Sequence, residues 1–291
     1  MASPSDKPVE NLGEFVSRVQ EYREFWGNEE HHELWFRGES KDYGETKLRP
    51  ELYRPADGKA LKPIRELLEI EWRLYEEFQR AAVERCGVVS SGEDWDWDSY
   101  FLMQHHEGPT RLLDWSDGAL MALHFAVRNR SEDDQPGESY VYVLEPYRLL
   151  SELDSLPDRQ VMKDQWKAYV EKNPGSDLDE DEWDEMYLPP DASDDGIGLP
   201  RPPLLLDFPL ITRRFAAQRS RFIAFGTEPR WLAEHFERTD SFIKRIAIPA
   251  NERPKIRQQL RDCGITESVI YPDLDGLGRE MRQLWEDRKA K

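Results

Sequence analysis

Cysteine is scarce in this 291-residue chain. Only Cys86 and Cys263 occur, far apart and without a CxxC pair, so neither a disulfide scaffold nor a zinc knuckle is expected and a reducing compartment fits best. Nowhere do about 18 uncharged apolar residues run together, and the opening MASPSDKPVENLGEF has no apolar signal-peptide core; a cytoplasmic location away from any membrane is expected. Basic charge is short as well. Lys and Arg number 40 against 59 Asp and Glu, a formal net charge of −19, which argues against a broad basic face for duplex nucleic acid and leaves room only for a local basic groove. GxGxxG after a strand, GxxxxGKS/T, GxSxG and HExxH are all missing, so a Rossmann dehydrogenase, a P-loop nucleotidase, an α/β-hydrolase and a zinc protease are not expected.

What is present suffices for a core: 38% of the residues are hydrophobic and 11% aromatic, consistent with one domain over 1–291, its core at about 30–285. Residues 9–26 carry a helical stripe of Leu12, Phe15, Val16, Val19 and Phe25 and lead into an apolar strand at Leu34 to Phe36. Pro63 to Arg85 repeats Ile64, Leu67, Leu68, Glu71, Leu74, Tyr75, Phe78 and Ala82 at helical spacing and stops at Gly87. Further helices are predicted at about Asp96 to His106 and Asp117 to Val127. Strands are predicted at Ser139 to Leu144 and within PLLLDFP, QRSRFIAFG and FIKRIAIPA. From Arg253 the pattern reads helix, short strand (Ser268 to Tyr271), helix. Between about 150 and 200 the chain turns acidic and poor in aliphatic residues, as in GSDLDEDEWDEMYLPPDASDDG; a solvated surface excursion outside the core is expected there. Helices come mostly first and strands mostly later, which points to an α+β fold with an antiparallel or mixed sheet.

Two stretches carry chemistry. In LWFRGES, at 34–40, Arg37 follows an apolar strand and precedes Gly38; a guanidinium there needs a protein partner or an anionic ligand. In YFLMQHHEGPTRLLDWSDGALMALHFAV, at 100–127, Gln104, His105, His106, Arg111, Asp114 and Ser116 stand among core-forming residues, the mixture of a pocket wall. The adjacent histidines would point about 100° apart on a helix and are poorly placed to share a metal. Arg111 and Asp114, three apart, could pair with each other, and Asp114 or Ser116 could cap the following helix.

LWFRGES, MQHHEGPTRLLDWSDGALMALHFAV, RRFAAQRSRFIAFG and GITESVIYPDLDGLGREM, in this order, resemble the FRG domain family, named for its aromatic-Arg-Gly motif. The matched segments span about 34–280, and the acidic excursion is where this sequence departs. The resemblance implies a setting in bacteria and phages, near defence or toxin systems, with a partner or antitoxin protein among the associates.

The same segments bear a more distant resemblance to ADP-ribosyltransferases of the Arg-Ser-Glu type. That likeness implies a split sheet with an N-terminal helical part and NAD as substrate. It implies Arg37, Gly38, Arg111 and Ser116 at the nucleotide and His105, Asp114 and Gln218 in the chemistry. Arg37 would hold the diphosphate as a bidentate fork, Gly38 would let the ligand approach the backbone, and Ser116 or Asp114 would hold the nicotinamide ribose. Gln218 stands where the family's glutamate is expected and lacks its charge; Asp114 is the candidate to supply it. The acceptor, protein or nucleic acid, is not legible. Two other readings stand beside this one: a silent module that binds a nucleotide or protein, and a metal-independent nuclease using Arg37, His105 and Arg111.

Overall fold

In the computed structural model, residues 4–27, 33–56, 58–86, 95–128, 137–174, 179–189, 198–206, 212–238 and 240–289 are described; the expected helix stop at Gly87 lies outside them. The elements run α1 (Leu12–Trp26), β1 (Trp35–Glu39), α2 (Ile64–Cys86), α3 (Trp95–His105), β2 (Leu112–Ser116) and α4 (Ala119–Val127). They continue with β3 (Ser139–Leu144), α5 (Pro146–Ser155), α6 (Pro157–Lys172), β4 (Leu204–Leu206), α7 (Arg213–Gln218) and β5 (Ser220–Ala224). The last part holds α8 (Trp231–Phe236), β6 (Ile243–Ile248), α9 (Arg253–Asp262), α10 (Glu267–Ile270) and α11 (Leu274–Lys289). No helix among the described residues is long and apolar enough to cross a membrane.

The six strands form one sheet in the order β4-β5-β2-β1-β3-β6, and every pairing is antiparallel. The fold is α+β, as expected, but helices and strands interleave along the chain instead of segregating. Pairing is uneven across the sheet. β1 pairs with β3 along its whole length and β2 with β5 along its whole length, whereas β1 and β2 share the single pair Phe36↔Ser116. The sheet therefore parts between its two central strands.

Alternation along the strands separates two layers. Phe36, Val141, Val143, Ile246 and Ile248 bury one face against α4, α1 and α9. Apart from His124, which meets Glu267 at 3.1 Å, α4 is apolar, as suits a helix wedged between a sheet and other helices. Its close seat explains Gly38: a Cβ there would lie 1.9 Å from the Ala122 carbonyl oxygen. The glycine is thus required by helix packing on β1 whether or not a ligand approaches its backbone. On the opposite face Trp35, Leu113, Trp115, Tyr142 and Ile223 pack with Tyr53, Leu149 and Leu232.

Two expectations give way here. The acidic region is not wholly solvated, because Met162, Trp166, Met186 and Tyr187 are buried in a third cluster with Phe101, Leu112 and Phe222; the charges occupy one side of α6 and the following turn while a few large side chains anchor the other. Ser268 to Tyr271 is not a strand. Residues Glu267–Ile270 form the short helix α10, whose Val and Ile pattern suits a buried helical turn equally well, an ambiguity that a short apolar run cannot resolve.

Candidate functional site

Where β1 and β2 part, a cleft of about 490 Å³ opens, lined by Arg37, Gly38, Gln104, His105, Asp114, Ser116 and Gln218 together with Phe36, Glu51, Glu107, Phe125, Arg128, Arg214, Phe215 and Tyr271. It draws on β1, β2, the ends of α3 and α4, α7, and the residue after α10. Residues 181 positions apart in sequence, from Arg37 to Gln218, thus meet at one opening.

Asp114 is its central feature. It is the third residue of β2 and exposed, while the other four residues of that strand are buried. It pairs with Phe222 of β5 on one side, while on the other β1 and β2 have parted beside it. The Asp114 carboxylate accepts a hydrogen bond from Gln104 Nε2 at 2.8 Å, and Thr110 Oγ1 donates to Gln104 Oε1, which fixes the amide's orientation. The protein mass around the carboxylate raises its pKa above the usual range, while the Arg37 charge and the Gln104 hydrogen bond lower it. Asp114 belongs to the strand and is not a helix cap; Gly118 occupies the N-cap position of α4.

Arg37 does not wait unpaired for a ligand. Its Nε is 3.1 Å from Glu39 Oε1, and its Nη1 donates to the Asp114 carbonyl oxygen at 2.8 Å. That second bond replaces part of the backbone ladder missing between β1 and β2. Nη2 has no partner among the described residues, so one edge of the fork still faces the cleft.

His105, at the end of α3, lies edge-on to Phe215 with ring centroids 5.2 Å apart. Burial, then the nearby Arg214 and His106, lower its pKa to about 4, so it is a neutral imidazole at pH 7. Arg214 Nη1 donates to the His105 carbonyl at 3.1 Å and its guanidinium lies 4.6 Å over the Tyr271 ring. Ser116 Oγ donates to the Gln218 carbonyl at 2.7 Å and accepts from Gly118 N at 3.0 Å, tying the start of α4 to the end of α7. Gln218 is the last residue of α7, not part of a strand, and its amide reaches the Ile270 carbonyl at 3.4 Å.

Arg111 is the site residue that the fold places elsewhere. It is 1% exposed and pairs with Glu71 of α2, Nε to Oε2 at 2.6 Å, not with Asp114. Its Nη1 donates to the Phe225 carbonyl and its Nη2 to the carbonyls of Tyr187 and Leu188. A guanidinium so enclosed, outside the lining of the cleft, cannot reach a nucleotide there.

Sequence reasoning passed over Glu51, Glu107, Phe125, Arg128, Arg214 and Tyr271. Arg214 and Tyr271 stand inside the quoted RRFAAQ and ESVIYPD segments and carried a signal; Glu51 opens a short 3-10 helix, Glu51–Tyr53, and carried none. Among the described residues no group of His, Cys, Asp and Glu could hold a metal ion.

The profile of the FRG domain family matches residues 32–135, which contain Arg37, Gly38, Gln104, His105, Asp114 and Ser116. No curated protein and no solved structure matches the chain.

Proposed function

With an FRG domain at residues 32–135 as the premise, we propose that the cleft binds NAD or a related nucleotide and runs an ADP-ribosyltransferase-like reaction. The observation that carries this reading is Asp114, an exposed carboxylate in the middle of a central strand, bared by the parting of the sheet. In the reaction the glycosidic bond between ribose and nicotinamide breaks, its electron pair leaves with the nicotinamide, and positive charge develops on the ribose. A carboxylate held beside that charge in a partly desolvated cleft stabilises it by roughly 2–4 kcal/mol. Water or a nucleophile on a protein or nucleic acid then forms the new bond and gives up its proton. His105, neutral at pH 7 and in the cleft lining, can receive it, though as a weak base at a pKa of about 4.

The other lining residues fit the rest of such a ligand. Arg37 through Nη2, with Arg214 and Arg128, supplies guanidinium groups for a diphosphate. Phe125 and Phe215 offer ring surface for a base, whereas the Tyr271 ring is already covered by Arg214 and Arg279. Ser116 and the Gln218 amide also line the cleft, and in this reading they hydrogen-bond ribose hydroxyls. Arg111 takes no part in this reading.

Incubating the purified chain with NAD labelled in the adenylate half, with and without a cell lysate, tests it. Label entering protein or nucleic acid, or released as free ADP-ribose, is the expected result. NAD left intact while added RNA is cut without metal would replace this reading by the nuclease one, in which neutral His105 acts as base beside Arg37 and Arg214.

A further inference from the structure

We propose that a second copy of this chain docks on α11, forming a two-fold dimer through an antiparallel pair of these helices. Five of the twelve exposed large apolar side chains among the described residues lie on this one element: Leu274, Leu277, Met281, Leu284 and Trp285. Leu274 is 84% and Trp285 60% exposed. The spacing of the first four alternates three and four residues, the seam of a two-helix coiled coil, and all five fall within roughly 120° of arc. A helix of this length runs about 24 Å, enough for a small interface.

Gly278 points the same way independently. Glycine in an exposed helix interior destabilises it relative to alanine, and it is tolerated where a backbone must come close. Gly276 has such a reason within the chain, since a Cβ there would lie 2.0 Å from the Tyr271 carbonyl oxygen. Gly278 has none: a Cβ would meet nothing within 4 Å. It lies beside the apolar seam, where an approaching helix would need the space.

Charge and shape select a second copy over another partner. α11 and the residue before it begin with Asp273 and Asp275 and end with Arg288 and Lys289. A two-fold axis beside Met281 sets the acidic start of one helix against the basic end of the other, twice. The same axis puts Trp285 against Leu277 of the other copy and Leu284 over its Gly278, so one surface is complementary to itself, as an isologous interface requires.

Sedimentation of the full chain tests this. The wild type should move from 34.3 kDa towards twice that mass as concentration rises from about 1 to about 500 μM, a range chosen for a small interface. Trp285→Glu and Gly278→Leu should each weaken association at least tenfold with the thermal melt retained, the second because the monomer has room for the side chain. Asp275→Lys should weaken it, and adding Lys289→Asp should restore it. A chain that stays monomeric throughout, a dimer indifferent to Trp285→Glu and Gly278→Leu, or a failure of the paired swap to restore association would each overturn the proposal. Capture of a different protein by a monomeric α11 would do the same.

Discussion

Two arginines flank the same central strands and meet opposite fates. Arg111, just before β2, is sealed: Glu71 neutralises it, and three backbone carbonyls accept further hydrogen bonds from its guanidinium. Glu71 is in turn held by the Tyr100 hydroxyl and by the Arg111 backbone N–H. Arg37 on β1 has a buried partner in Glu39 and one carbonyl, and keeps an edge of its guanidinium at an open cleft. The difference teaches how to tell a structural charge from a working one. A charge that the fold itself requires arrives with a complete set of partners, because an incomplete set deep in a protein costs several kcal/mol. A charge left for a ligand is half-provided for, and Arg37, Asp114 and Gln104 together form such a half-finished network.

Breaking the sealed pair should have the largest effect. Glu71→Ala strands the Arg111 charge among α2, α3, β2 and β5, and should lower stability by about 3–5 kcal/mol, read as the shift of the urea midpoint at constant slope. Arg37→Ala should cost less, about 1–3 kcal/mol, because Glu39 keeps Arg54 at 3.6 Å, while removing nucleotide binding. If Arg37→Ala proves the more damaging of the two, the cleft arginine is structural and the contrast collapses.

A smaller effect concerns His105. Its pKa in the folded chain is about 4, whereas the unfolded chain takes up this proton near pH 6.5. The stability that depends on a neutral His105 is therefore intact above about pH 6.5 and is lost as the pH falls from there towards 4. His105→Asn should flatten that part of the profile, which urea midpoints at several pH values would reveal. Asp114 acts with the opposite sign. Its raised pKa means that folding disfavours the ionised form, so its contribution falls as the pH rises, and Asp114→Asn should leave stability at neutral pH unchanged or slightly higher.

The contrast also explains what could be read in the sequence. The FRG match and the presence of Arg37, His105, Asp114, Ser116 and Gln218 at one cleft follow from motifs whose polar residues interrupt core-forming runs. Most of the long helices and the strands followed from periodicity. Glu71 was legible as the glutamate on the apolar stripe of α2, between Leu68 and Leu74; that its partner is Arg111, 40 residues later, was not, because nothing in either segment links the two. Asp114 read as a cap because the polar Asp-Trp-Ser precedes a helix, and only the parting of β1 from β2, a property of two distant strands, turns it into an exposed residue of a central strand. The acidic region misled for the same reason. Its composition is dominated by charge, while four large side chains, Met162, Trp166, Met186 and Tyr187, decide where it packs.

Steady-state NAD consumption by the wild type, Asp114→Asn and Gln218→Glu tests the central claim most directly. If Asp114 supplies the charge opposite the developing cation, Asp114→Asn abolishes turnover with its melt retained. Gln218→Glu then lowers turnover, because a second carboxylate in the cleft raises the pKa of one of the two. Equal rates for all three proteins, or a faster Gln218→Glu beside an active Asp114→Asn, would contradict the account.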